Sequence, residues 1–151
     1  TNVQTALEEL DSEKKPVSLI IPAADLTISG SKTSEFEAGD SISVGALVVL
    51  DDTSHWIATD ANATATSVGL LGISLETKTV GNAMSTALPG SFVRNDAWAW
   101  TPGATLYVSE STSAITATQP TTANVIIRVI GHAVTADVLF FNPSVDWITH
   151  S

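Results

Sequence analysis

Val3, Leu7 and Leu10 fall on one stripe at a four-then-three spacing near the start of the chain, and Thr1 with Gln4 fits a capping box that satisfies the first free N–H groups. The pattern predicts a short N-terminal helix over residues 1–14, closed by Pro16. Helices under about 12–15 residues are marginal in water, because nucleation costs more than so few hydrogen bonds return. The stripe therefore needs a partner. Two are open: the chain's own β domain, or the same helix in neighbouring copies, where the stripe becomes the a and d seam of a very short coiled coil.

Beyond Pro16 the apolar positions change to short runs bounded by Pro, Gly or Asp-rich breaks. Runs at 17–21 and 26–29 predict two short strands of a connecting arm. Further strands are predicted at 41–44, 46–50, 55–59, 67–76, 84–88, 91–94, 97–101, 105–109, 114–118, 125–134 and 138–141. Asp51, Asp52, Thr53 and Ser54 make a hairpin loop, and Gly69 and Gly72 interrupt the run at 67–76 where a bulge or sharp bend is expected. Pro143 stops the last long strand, after which Trp147 and Ile148 are expected to dock the tail. The fold class is all-β: a small antiparallel β-barrel or sandwich preceded by a short N-terminal helix. The chain divides into a helical segment at 1–15, an extended arm at 16–35 and a β domain at 36–151.

An internal echo supports that reading. Residues 45–50, an acidic turn and 55–59 lie over 103–108, an acidic turn and 113–117 at an offset of 58 positions; the Gly-containing strands 69–74 and 128–133 follow at nearly the same offset. Identity is thin, but the order of apolar, turn and Gly positions is retained. Two hairpin-plus-strand units forming opposite walls of one barrel are expected.

Composition narrows the function classes. There is no Cys, which removes disulfides, thiolate catalysis and thiolate metal sites. Sixteen Asp and Glu against six Lys and Arg give a formal charge of −10, which opposes binding to a phosphate backbone, so nucleic acid is not an expected partner. No apolar run approaches the roughly 18–20 residues that cross a bilayer, and the start lacks a signal-peptide pattern, so a soluble chain without membrane insertion is expected. The first residue is Thr rather than Met, which fits a processed product or part of a longer polypeptide.

Candidate chemistry is sparse. His55, His132 and His150 are not at metal-ligand spacings, and no nucleophile, metal-protease or phosphate-loop motif occurs, so no catalytic residue, metal ligand or cofactor is expected. Asp51, Asp52 and Asp60 suit turn formation better than cation binding. Arg94 and Arg128 are each expected to pair with a carboxylate within or between subunits. Trp98 and Trp100 alternate with Ala97 and Ala99, so both indoles are expected on one face of a strand. Buried, they anchor a core or a subunit contact; exposed, they form a platform for a sugar ring.

Two stretches carry a resemblance. Residues 1–10, Thr-Asn-Val-Gln-Thr-Ala-Leu-Glu-Glu-Leu, resemble a short helical connector of tailed-bacteriophage structural proteins, which precedes β domains there. The run from Ala38-Gly39-Asp40 through Gly69-Leu70-Leu71-Gly72-Ile73, Trp98-Ala99-Trp100-Thr101-Pro102-Gly103, Val129-Ile130-Gly131 and Phe141-Asn142-Pro143-Ser144 is similar to a β-rich phage head or tail appendage domain. The resemblance implies a non-enzymatic virion protein: a homotrimeric capsid decoration or head-fibre subunit, with Val3, Leu7 and Leu10 at the oligomer seam and other virion proteins such as the major capsid protein as partners. The alternative it leaves is a tail-fibre domain that recognises a host-surface glycan, with Trp98 and Trp100 as the platform.

Overall fold

The computed structural model describes Val3 and residues 19–151. The expected helix apart from Val3, with Leu7 and Leu10 of its stripe, and the start of the arm lie outside the described residues. Fourteen strands are formed among the described residues: β1 (Ile28–Ser29), β2 (Lys32–Thr33), β3 (Glu37–Ala38), β4 (Leu47–Leu50), β5 (His55–Ala58), β6 (Leu71–Ser74), β7 (Thr86–Ala87), β8 (Ser91–Arg94), β9 (Thr105–Val108), β10 (Ile115–Thr116), β11 (Ile126–Ile127), β12 (Val129–Ala133), β13 (Val138–Phe141) and β14 (Ile148–Thr149). They build one six-stranded sheet in the order β1-β8-β13-β12-β9-β10, a second in the order β2-β7-β6-β4-β5-β3, and a small β11-β14 pair. Pairing is antiparallel except between β3 and β5.

Both large sheets keep open edges among the described residues, so of the barrel or sandwich expected from the sequence the closed barrel is not formed. The sheets instead meet across one shared core. Leu47 and Val49 of β4 and Leu71 and Ile73 of β6 pack with Val93 of β8, Leu106 and Val108 of β9, Ile130 of β12, and Leu139 and Phe141 of β13. In the strands of the first sheet the alternation is plain: Ser91 and Val93 are buried while Phe92 and Arg94 are half-exposed, and β9 repeats the pattern. β6 and most of β4 are buried throughout, because a second cluster covers their other face. There Val48 packs with Ala38, Ile42, Trp56 and Met84, and Phe36 meets Trp56 edge-on at 6.0 Å. Burial on both faces is why this stretch reads as one apolar run, Leu-Val-Val-Leu.

The 58-residue echo is written into the hydrogen bonds. Gly45 N donates to Ser74 O and Gly103 N to Ala133 O; Ala46 N to Ser43 O and Ala104 N to Thr101 O; Leu50 N to Leu70 O and Val108 N to Arg128 O; Ile42 N to Lys78 O and Trp100 N to Ala136 O. Both units place a hairpin beside a Gly-containing strand, β6-β4-β5 in one sheet and β12-β9-β10 in the other. Gly72 pairs with Val48, and Gly131 with Leu106, where a register shift after Val129 absorbs one extra residue. The two units thus lie in facing sheets of a sandwich rather than in walls of a barrel.

Several local expectations are corrected. Residues 97–101 form a turn and loop, not a strand. The run 125–134 is split at Arg128 into β11 and β12. The segment read as an arm gives β1 to one sheet and β2 to the other. The tail docks through its backbone, Ile148 opposite Ile127 and Thr149 opposite Ile126, which leaves Trp147 37% and Ile148 62% exposed.

Candidate functional site

The chain leaves β8 through Asn95, and a local bond competes with the ladder there. The Asn95 Oδ1 accepts the Ala97 N–H at 2.9 Å, and the Trp98 N–H donates to the Asn95 carbonyl at 3.0 Å. Such an Asx turn consumes the groups a strand would offer its neighbour, which is why the alternating Ala-Trp-Ala-Trp does not pair. Trp98 and Trp100 nevertheless come together: their rings lie 6.0 Å apart at 46°, and both are half-buried against the shared core. The Trp100 Nε1 is buried without a partner in the described residues.

Trp98 also lines an open groove of about 470 Å³ between the two repeated units, with Ser41, Ser43, Asn95, Thr112 and Ser113 around it. None of the lining side chains carries a charge. Gly45 sits at its floor with φ +78°, and a Cβ there would overlap the Asn95 amide nitrogen. Glycine is thus required twice, for the turn and for the room it leaves.

Close by, Arg94 binds Asp96 at 2.6 Å and Asp137 at 3.0 Å, as expected from the sequence. The hydrogen bond to Asp96, with the charges of Asp96, Asp137 and Asp25, raises the guanidinium above its ordinary value. Arg128 departs from expectation. It is 6% exposed and, among the described residues, meets no carboxylate; it donates to three carbonyls, Ser144 O at 3.0 Å and Ser67 O and Gly69 O at 2.9 Å each. Burial pushes its guanidinium down, yet an arginine stays cationic at neutral pH. It clamps the turn before β6 to the chain after β13. No signal in the sequence separated this role from ion pairing.

The remaining candidates take turn roles. Asp51 Oδ1 accepts the N–H groups of Thr53 at 2.9 Å and His55 at 2.8 Å, and these bonds, the one from His55 foremost, lower its carboxyl. Asp60 accepts the Asn62 N–H at 2.9 Å. His55 lies 4.0 Å from Glu37, His132 stands on the outer face of the first sheet, and the described residues hold no group of three side chains placed to bind a metal. Val3 is 74% exposed. No helix among the described residues is long and apolar enough to cross a membrane. Compared with protein-family models, curated proteins and solved structures, the chain matches none.

Proposed function

We propose that this chain is a non-enzymatic structural subunit of a tailed-phage particle, a homotrimeric capsid decoration or head-fibre protein seated on other virion proteins such as the major capsid protein. The observation that carries the reading is the outer face of the first sheet, which is only partly covered among the described residues. Register places Phe92, Phe140, His132 and Thr105 in one cross-strand row, with the two Phe rings 5.2 Å apart. The corresponding face of the second sheet is sealed by the chain itself, through Phe36, Ile42 and Met84. On the first sheet the loop that follows the Gly-containing strand is cut to a short turn before β13, and Phe92, Tyr107 and Phe140 stay half-exposed.

The arm strengthens the case for a second copy as the cover. Leu19, Ile20 and Ile21 are exposed, and the Ile20 N–H donates to Ser29 Oγ at 3.0 Å, at the β1 edge of the same sheet. Exposed apolar side chains of the arm therefore lie at the edge of the sheet that carries the aromatic row. Contiguous apolar surface of this kind is what closed symmetric assembly buries. Sedimentation velocity from micromolar to nanomolar concentration tests it: a trimer is expected, and Phe92→Ser with Phe140→Ser yields folded monomers. Folded wild-type monomers at every concentration overturn the proposal.

A second reading, attachment to a host-surface glycan, is favoured by one observation. Trp98, half-buried by its neighbours, still lines the uncharged groove.

A further inference from the structure

We propose that the groove between the repeated units is a binding site for neutral pyranose sugars, with Trp98 as its apolar wall and the Asn95 amide as its principal hydrogen-bond donor. The assignment gives the glycan reading a location and a ligand class, and it rests on that reading.

The Asn95 side chain is the main argument. The residue is 8% exposed, and its Oδ1 is committed to the Ala97 N–H. That bond fixes which amide atom is the nitrogen, since only the oxygen can accept from a backbone N–H. The Nδ2 lies over Gly45, on the groove floor, and has no hydrogen-bond partner among the described residues. The nitrogen is not sealed from solvent, so it is free to donate to a ligand oxygen in place of water.

The rest of the lining fits the same ligand. The hydroxyls of Ser41, Ser43, Thr112 and Ser113 border the groove, and none is engaged with another described residue. A pyranose presents one apolar C–H face and a rim of hydroxyls, and so matches an indole opposed by hydroxyl and amide groups. The volume, about 470 Å³, falls in the roughly 300–1,000 Å³ range of small-ligand sites. Charge sets the subclass. With no cation on the lining and a formal charge of −10 on the chain, acidic saccharides are repelled while neutral ones are not.

Titration of the ¹⁵N-labelled chain with chitotriose, maltotriose, mannobiose and galactobiose, followed by amide and indole NMR shifts, tests the proposal. Trigalacturonate and sialyllactose serve as acidic comparisons. At least one neutral sugar is expected to move the Asn95 side-chain amide, the Trp98 indole and the backbone of residues 112–113 together. Thr112 is exposed on a loop, so Thr112→Arg blocks the groove with the fold intact and raises the dissociation constant at least tenfold; Trp98→Ala, if it folds, does the same.

No shift with any neutral sugar at about 20 mM, well above a millimolar dissociation constant, overturns the proposal. Shifts centred elsewhere, equal response to the acidic sugars, or undiminished binding by Thr112→Arg overturn it too. Because the groove lies within one chain, a monomeric result in sedimentation leaves this test unaffected, and a failed titration leaves the trimer standing.

Discussion

Replacing Arg128 by Met removes a clamp without opening a large hole, and its cost follows from three bonds. The guanidinium donates at 2.9–3.0 Å to Ser67 O, Gly69 O and Ser144 O, which joins the turn before β6 to the chain after β13. Hydrogen bonds from a charged donor contribute about 1.5 kcal/mol each at the low end of their range, so the gross loss is about 4–5 kcal/mol. Met keeps most of the packing volume, and removing a buried cation returns part of its desolvation cost, about 2 kcal/mol. The net destabilisation is then about 2–3 kcal/mol. With a urea dependence of about 2 kcal/mol per molar, the unfolding midpoint falls by about 1–1.5 M. Far-ultraviolet circular dichroism across a urea series measures it, and hydrogen exchange localises it. Amides of residues 67–70 and 144–150 are expected to lose protection first. Arg128→Lys retains the charge but cannot span three acceptors, and recovers less than half of the loss. A midpoint for Arg128→Met within about 0.3 M of wild type, with unchanged exchange at both segments, refutes the clamp.

Two further outcomes follow from the fold. Gly131 has φ +151° and a Cβ there would overlap the Phe140 carbonyl oxygen across the ladder, so Gly131→Ala costs more than about 3 kcal/mol; Gly103, also at positive φ but with open space around it, costs only about 1–2 kcal/mol on the same change. Equal urea midpoints for the two variants contradict the close approach at Gly131. Asp51, Glu76 and Glu110 all hold backbone N–H groups, and their carboxyls are lowered chiefly by bonds from His55, Ser85 and Thr122 respectively. A depressed carboxyl stabilises the fold above its unfolded value and loses that contribution as pH falls through the folded one, so the melting temperature holds from pH 7 to about 5 and drops below about 4. A flat melting profile down to pH 3 contradicts the role given to these caps.

The repeat was legible in sequence because its bonds depend on spacing and glycine, not on identity. Gly45 and Gly103 both turn the chain at positive φ, although the inward positions shift by one residue, Leu47 and Val49 after the first and Leu106 and Val108 after the second. What could not be read was where a polar side chain outcompetes the ladder. Asn95 takes the Ala97 N–H and turns a sequence that alternates like a strand into a loop. The two-residue strands β3 and β14 are too short to show any period, and the side chain of Ile148 faces solvent although its backbone pairs. Arg128 gave no sequence sign that carbonyls, rather than a carboxylate, would satisfy it.

The barrel failed for a related reason. Closure needs the two units to share an edge, but each unit's outermost strand, β5 or β10, meets something other than its counterpart. β5 is capped by β3, which runs parallel to it through Glu37 and Ala38, and β10 pairs only with β9 among the described residues. The contact between the units is made instead across the core and at the hairpin ends, where Leu47 N donates to Ser113 O and Ala61 N to Ser109 O. The same arrangement places the groove. Its walls come from the turn before β4 in one half and the β9–β10 hairpin end in the other, and the loop through Asn95 and Trp98 closes one side. The asymmetry between the halves does the rest, since the long loop carrying Met84 seals one sheet while the short turn before β13 leaves Phe92 and Phe140 half-exposed among the described residues. A sandwich built from two like units therefore has one face packed by its own chain and one that stays partly open among the described residues.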